Sequence, residues 1–245
     1  MQNQTQIPLS LRVRDEASFQ NFFPPGNEVA FSHIQNSVSK AMSDGSIYVW
    51  GEHCSGKTHL LQAACLKASD LGLKAAYIPL KNDAEFNVSI LDELENFDLI
   101  CIDDIDAIAG SRKWEQAIFF FYNRAFETGA QVIVSGEKSL KETDLVLPDL
   151  ISRLSWGFVF HLQTLTDENK SRALQARAKL RGFEIPDNVM AYLLRRVPRD
   201  MNTLFELLDE LDLASLSAKR RLTIPIVKQW FDNSENAHGI LEKTE

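Results

Sequence analysis

Residues 51–59 combine the residue types that proteins use to hold a chain of phosphates. Gly51 is followed by four intervening residues and then by a second glycine, a lysine and a threonine. The residues after Gly51 are Glu52, His53, Cys54, Ser55, Gly56, Lys57 and Thr58, and His59 follows the motif. Glycines let successive backbone N–H groups converge on phosphate oxygens, and the positive end of a following helix faces the same anion. In this GxxxxGK[ST] pattern Lys57 would reach the β- and γ-phosphates, and the Thr58 hydroxyl would ligate Mg²⁺. The alternative is a chance match in a glycine turn.

A second group of candidate residues follows the apolar run Leu99–Ile102. If this run is a buried strand, Asp103 and Asp104 lie at the carboxyl edge of the sheet, where open α/β sheets bind ligands. Asp103 would hold Mg²⁺ directly or through water, and Asp104 would orient or deprotonate an attacking water. On its own, the pattern is equally typical of a strand followed by a helix cap.

Two further polar residues belong to this set. Ser135 ends the predicted strand 131–135, so its hydroxyl would lie at the same edge and could sense the γ-phosphate; a simple helix cap is the alternative. Arg153 lies near the end of a short predicted helix capped by Asp149, and the pattern turns it outward.

The elements that must position these residues alternate along the chain. We predict strands at 47–50, 75–80, 99–102, 131–135 and 158–162, separated by helices at 31–42, 57–71, 90–95, 114–127 and 149–154. This alternation is typical of an α/β fold with a mostly parallel sheet covered by helices on both faces. Four predicted helices follow, at 169–180, 186–196, 200–216 and 223–231. We therefore expect a nucleotide-binding α/β domain at 15–163 and a small all-helical domain at 164–245.

Composition restricts the class of protein. The 245 residues include 34 acidic and 26 basic side chains, a net charge of −8, and no basic stripe of the kind that grips nucleic acid alone. No apolar run is long enough for a membrane span, and no signal sequence opens the chain. We therefore expect a cytoplasmic location. The three cysteines lack metal-ligand spacing, which favours reduced thiols.

Two segments before the glycine loop could contact other molecules. In residues 1–14, Gln6 to Leu11 (QIPLSL) alternate in polarity, and Pro8 favours an extended arm that could dock on another protein. A strap on its own domain or a frayed terminus is the alternative. Phe19, Phe22 and Phe23 could wall an adenine pocket, although core packing is the more common use of such residues.

In order along the chain, the segments GEHCSGKTHL, LICIDDIDAIAG, VIVSGE and DLISRLSWG resemble the AAA+ module of the bacterial replication initiator DnaA. The segment FQNFFPPGN resembles the part of that module that holds adenine, and the likeness covers nearly the whole chain. The sequence ends where DnaA would continue into its helix-turn-helix DNA-binding domain. The QIPLSL arm resembles the hexapeptide that attaches replication proteins to the sliding clamp. This combination is similar to the Hda family of regulators, which inactivate DnaA.

The resemblance implies a role for each matching residue. An adenine nucleotide (ADP or ATP) and Mg²⁺ would be held by residues 51–59, Asp103, Phe22 and Phe23. Arg153 would act as an arginine finger in the ATP site of a neighbouring DnaA subunit, unless it pairs with Asp149 instead. The DNA polymerase III sliding clamp would be bound by Gln6, Ile7, Leu9 and Leu11.

Three departures from the DnaA pattern imply slow turnover by the chain itself. His53 and Cys54 occupy a loop that is richer in glycine in DnaA. Asp104 is one methylene shorter than the glutamate that active AAA+ ATPases commonly carry. Asn202 stands where DnaA has a nucleotide-sensing arginine on the third lid helix, with Arg199 as a candidate substitute.

The function implied is negative regulation of replication initiation. The protein would hold nucleotide, reach DNA only through the clamp, and accelerate hydrolysis by DnaA, with self-association as a further expectation. The alternatives are an autonomous AAA+ ATPase such as a helicase loader, and a DnaA-like initiator that binds the origin.

Overall fold

The computed structural model describes residues 17–39, 46–81, 87–92, 94–218 and 222–235. It divides into two compact units, 1–164 and 165–245. The predicted clamp-binding residues Gln6, Ile7, Leu9 and Leu11 lie outside the described residues.

The first unit is built on five parallel strands in the order β2-β3-β4-β1-β5. The strands are β1 (Ile47–Trp50), β2 (Ala75–Pro79), β3 (Leu99–Asp103), β4 (Gln131–Gly136) and β5 (Phe158–His161). The helices are α1 (Glu28–Ser39), α2 (Lys57–Asp70), α3 (Arg112–Thr128) and α4 (Pro148–Leu154). The predicted α/β fold, a parallel sheet covered by helices on both faces, is therefore confirmed.

The sheet has an apolar core on each face, because side chains alternate along every strand. Ile47, Val49 and Cys101 pack with α1 and α2 on one face. Tyr48, Ile100 and α3 belong to the core on the other face. Since Asp103 follows Cys101 by two residues, it projects toward the face that carries α2.

Two local predictions were wrong. The helix predicted at 90–95 is replaced by two 3₁₀ turns, Val88–Leu91 and Leu94–Asn96, because Asp92 between them has an extended backbone with ψ 135°. Asp149 does not cap α4: the cap residue is Leu147, and Pro148 occupies the first turn, where its missing N–H costs nothing.

The second unit is all helical, as predicted, with α5 (Asp167–Leu180), α6 (Asp187–Leu193), α7 (Met201–Ala218) and α8 (Ile224–Glu235). Thr166 caps α5 by accepting a hydrogen bond from the Asn169 N–H. Leu174, Val189 and Leu204 are buried in its core. No helix among the described residues has the length and apolar character that crossing a membrane requires.

Candidate functional site

The glycine loop joins the carboxyl end of β1 to the start of α2. A Cβ atom on Gly51 would lie 2.3 Å from the Leu162 carbonyl oxygen, so this close backbone approach requires glycine. Cys54 and Gly56 both have positive φ values, 61° and 98°. The loop thus turns sharply before α2, whose first N–H groups lack acceptors within the helix.

Lys57 is folded back into the loop. Its Nζ donates hydrogen bonds to the carbonyl oxygens of Gly51 (2.6 Å) and Glu52 (2.9 Å), and the residue is 6% exposed. Burial lowers the pKa of Lys57, against the opposing attraction of Asp104 and other carboxylates at this edge. In the structure, the ammonium is therefore satisfied by the carbonyl oxygens of the loop itself.

Aromatic rings line one side of the loop. Phe22 stacks on Phe31 with ring centroids 5.4 Å apart, and its ring would lie 2.9 Å from a Cβ atom on Gly56. His59 lies 5.4 Å from the Phe22 ring, and its Nε2 is 2.9 Å from the Ser18 carbonyl oxygen. Phe23 is partly buried in the same segment. The structure thus brings Phe22 and His59 to the loop.

The Asp103 carboxylate is buried at the end of β3, with 1% of the residue exposed. The Tyr77 hydroxyl donates to Oδ2 at 2.6 Å, and the Ser135 hydroxyl donates to Oδ1. Ser135 also accepts the Asp104 N–H at 2.8 Å. Burial, together with the Asp103 charge, raises the pKa of Tyr77 above its usual range. The Ser135 hydroxyl therefore donates its hydrogen bond to Asp103, and it is not free to donate to a phosphate oxygen.

Asp104 has a left-handed backbone, with φ 59° and ψ 57°. Its side chain makes no capping hydrogen bond to the 3₁₀ turn Ile105–Ile108 that follows, and it lies 3.2 Å from the Lys81 ammonium. Lys81 is also 3.4 Å from Glu137. Burial and the charge of Asp103 raise the pKa of Asp104, although Lys81 opposes the rise. The candidate base therefore has an ammonium partner that the sequence pattern did not reveal.

Arg153 lies in the last turn of α4 and is partly exposed. Its Cζ atom is 4.3 Å from the centroid of the Trp156 ring. Within the described part of the chain, no ion pair joins Arg153 to Asp149 or to another carboxylate. The approach to α4 is fixed by Glu115, a buried side chain on α3 that accepts hydrogen bonds from the N–H groups of Val146 (2.9 Å) and Leu147 (2.7 Å).

Arg199 and Asn202 are the two candidate residues in the helical unit, and Arg199 is hydrogen-bonded within that unit. Arg199 donates hydrogen bonds to Asp167 (2.5 Å) at the start of α5 and to the Leu194 carbonyl oxygen (3.2 Å). Asn202 is exposed on the first turn of α7.

The donor set of the first unit fits a nucleotide with Mg²⁺. The Ser55 hydroxyl is buried in the loop without a hydrogen-bond partner among the described residues, as expected of a group that meets a phosphate. Thr58 is exposed on the first turn of α2, and its hydroxyl and the Asp103 carboxylate are the hard oxygen ligands that Mg²⁺ prefers. No group of three or more His, Cys, Asp or Glu residues in the described segments could hold a metal ion by itself.

Comparison with known proteins agrees with this geometry. Residues 13–161 match the sequence family described as the bacterial DnaA ATPase domain, and residues 167–231 match the family described as the Hda lid domain.

Three solved structures have the same fold. Replication initiator DnaA bound to AMPPCP and single-stranded DNA has a TM-score of 0.72 at 21% identity, over 82% of this chain and 66% of that chain. AMPPCP-bound DnaA from Aquifex aeolicus has a TM-score of 0.69 at 23% identity, over 81% and 66%. Domain III of DnaA from Thermotoga maritima has a TM-score of 0.71 at 18% identity, over 88% and 97%. The chain thus spans just under two thirds of the two longer structures.

Proposed function

The chain belongs to the family of bacterial DnaA ATPase domains, and its second unit matches the Hda lid. We therefore propose that it regulates replication by stimulating the hydrolysis of ATP bound to DnaA. In this proposal it holds an adenine nucleotide in its own glycine loop and places Arg153 in the ATP site of a DnaA subunit. Hydrolysis then takes place on the partner. The result is negative regulation of initiation in the cytoplasm, on DNA that carries a sliding clamp.

The observation that carries the proposal is the environment of Arg153. A guanidinium that neutralises charge on a transferring phosphoryl group must keep its N–H donors available, and it can be worth about 10³ to 10⁵ in rate. Arg153 is partly exposed at the end of a short helix, and none of the described carboxylates forms an ion pair with it. Its side chain is therefore available to a neighbouring molecule.

The chain's own nucleotide has a structural role in this proposal. Asp104 is the residue that would activate water, but the Lys81 ammonium, 3.2 Å from its carboxylate, holds that side chain in an ion pair and restricts its approach to a water molecule. This contact favours slow turnover and disfavours the alternative of an autonomous ATPase motor. Phe22 and His59 would flank the adenine, and Lys57 and Ser55 would contact phosphate oxygens.

Mg²⁺ would be held by Thr58, with Asp103 acting through a metal-bound water. Both carboxylate oxygens of Asp103 already accept hydrogen bonds from hydroxyl groups of the protein. These bonds favour an indirect contact between Asp103 and the ion over direct ligation. When bound, the ion would neutralise charge on the phosphates.

The link to DNA is proposed from the sequence of the arm. Gln6, Ile7, Leu9 and Leu11 would bind the DNA polymerase III sliding clamp, which suits a chain with a net charge of −8 that is poorly equipped to hold DNA directly. Alanine at both Gln6 and Leu9 should abolish clamp binding in a pull-down and leave the melting temperature unchanged. Undiminished binding would exclude this attachment.

The test of the main proposal is hydrolysis of ATP on DnaA, measured with and without clamp-loaded DNA. The wild-type chain should accelerate hydrolysis only when the clamp is present, and Arg153→Ala should remove the acceleration. Arg153→Lys keeps the charge but loses the planar fork, so it should recover only a small part. Arg112→Ala, an exposed arginine on the first turn of α3, serves as the matched control.

Retained acceleration by Arg153→Ala would exclude the finger. Acceleration without clamp would exclude the tether and leave the finger in place.

A further inference from the structure

The turn after α4 places an exposed tryptophan directly beside Arg153. Trp156 is 67% exposed, and its ring lies under the guanidinium with 4.3 Å between Cζ and the ring centroid. A tryptophan this exposed contributes little to its own core, since most of its apolar surface stays in water. Its position must therefore be fixed by the backbone around it.

That backbone is tightly held. The Trp156 N–H donates to the Arg153 carbonyl oxygen at 3.1 Å. The Ser155 hydroxyl donates to the carbonyl oxygens of Ile151 (2.9 Å) and Ser152 (2.8 Å) at the end of the helix. A Cβ atom on Gly157 would lie 1.8 Å from the carbonyl oxygen of Ser46, the residue before β1. The backbone at Gly157 is therefore packed closely against the start of β1. The ring is thus presented by a fixed turn.

Stacking on a ring differs from an ion pair in what it leaves available. A guanidinium over an aromatic face is attracted through its flat face, while its five N–H donors lie in its own plane. An ion pair with a local carboxylate would occupy two of those donors. Arg153 has its Cζ atom over the Trp156 ring and forms no ion pair with a described carboxylate, so the contact restricts the side chain while its N–H donors remain available for phosphate oxygens.

We propose that Trp156 is a positioning residue that holds the Arg153 guanidinium ready for the partner's triphosphate. The proposal rests on the proposed function of Arg153 and adds the means by which that side chain is aimed. It assigns no direct contact between Trp156 and the nucleotide.

The test measures DnaA ATP hydrolysis as a function of the concentration of this protein, with clamp-loaded DNA present throughout. Trp156→Ala should lower the maximal rate at saturation by about two- to fivefold, and by up to about thirtyfold if the partner removes the stack from water. The concentration that gives half of the effect should stay unchanged. Trp156→Phe keeps a ring and should recover most of the maximum. Val159→Ala, which trims another exposed apolar side chain on β5, should keep the wild-type maximum.

Each outcome decides the question. An unchanged maximum, with only the half-effect concentration raised, would make Trp156 a docking contact and overturn the proposal. A higher maximum in Trp156→Ala would mean that the ring restrains Arg153, which also overturns it. Arg153→Ala, measured in the same experiment, separates the proposed function of Arg153 from the positioning role of Trp156. If Arg153→Ala keeps full stimulation, the proposed function itself fails. If Arg153→Ala is inactive while Trp156→Ala behaves as wild type, only the positioning role fails. Melting temperatures of all variants show whether the fold is kept.

Discussion

Glu115 gives the sharpest test of how the Arg153 helix is held in place. Its carboxylate is fully buried on α3 and accepts hydrogen bonds from Gly110 N–H at 2.8 Å, Val146 N–H at 2.9 Å and Leu147 N–H at 2.7 Å. One side chain thus joins the loop before α3 to the segment that begins α4. Glu115→Ala should therefore loosen both segments together.

The size of the effect follows from the donors that would lose their acceptor. A buried donor left without a partner costs about 1–3 kcal/mol, and three are affected. Val146 itself is exposed, so water can reach part of this segment and the lower end of the range applies. We expect Glu115→Ala to lower the free energy of unfolding by about 3–4 kcal/mol. Glu115→Gln keeps the shape and one acceptor oxygen, and should cost about half as much.

The assay is urea unfolding followed by circular dichroism, combined with hydrogen exchange of the backbone amides. Exchange should accelerate most at residues 110, 146 and 147. Glu127→Ala is the matched control, because Glu127 is exposed on the last turn of the same helix and should change stability by less than about 0.5 kcal/mol. A loss below about 1 kcal/mol in Glu115→Ala, or faster exchange spread evenly over the unit, would refute the reasoning.

Three further changes test other parts of the structure. Lys57→Ala should weaken adenine nucleotide binding about 10- to 100-fold in a calorimetric titration, since a charge-assisted hydrogen bond to phosphate is lost; unchanged affinity would exclude the loop as the site. Gly157→Ala should lower the free energy of unfolding by about 1–3 kcal/mol, because the added methyl meets the Ser46 carbonyl oxygen; a neutral result would mean that β5 moves freely. Burial opposes ionisation of Asp200, but hydrogen bonds from Thr203 outweigh it and lower the pKa of Asp200, so its contribution is present above the unfolded pKa of about 3.9 and is lost as the pH falls. Asp200→Ala should accordingly destabilise the helical unit by about 1 kcal/mol at pH 7 and by clearly less at pH 3, and an equal loss at both values would contradict this.

The sheet could be predicted because its strands are continuous apolar runs that end in polar residues. Parallel strands buried on both faces leave this signature, and it located Asp103 and Ser135 at one edge before any geometry was known. The predicted helix at 90–95 failed for a local reason. Leu91 and Leu94 are both buried, and their spacing of three residues suits two short turns as well as one helix.

The partners of the site residues could not be predicted in the same way. Tyr77 resembles any core residue of a strand, and only the register that pairs Pro79 with Asp103 brings its hydroxyl to the carboxylate. Glu115 resembles an ordinary acidic residue in the first turn of a helix, whereas its acceptors serve a segment about 31 residues further along the chain. Long-range hydrogen bonds of this kind leave no periodic mark in the sequence.

The left-handed backbone of Asp104 also limits how this site can evolve. Aspartate and glutamate codons differ only in the third base, so the longer carboxylate of an efficient hydrolase is one mutation away. Aspartate, asparagine and glycine tolerate that backbone, whereas other residues are strained there by roughly 1–2 kcal/mol. An Asp104→Glu substitution would therefore carry this conformational cost whatever else it changed in the site.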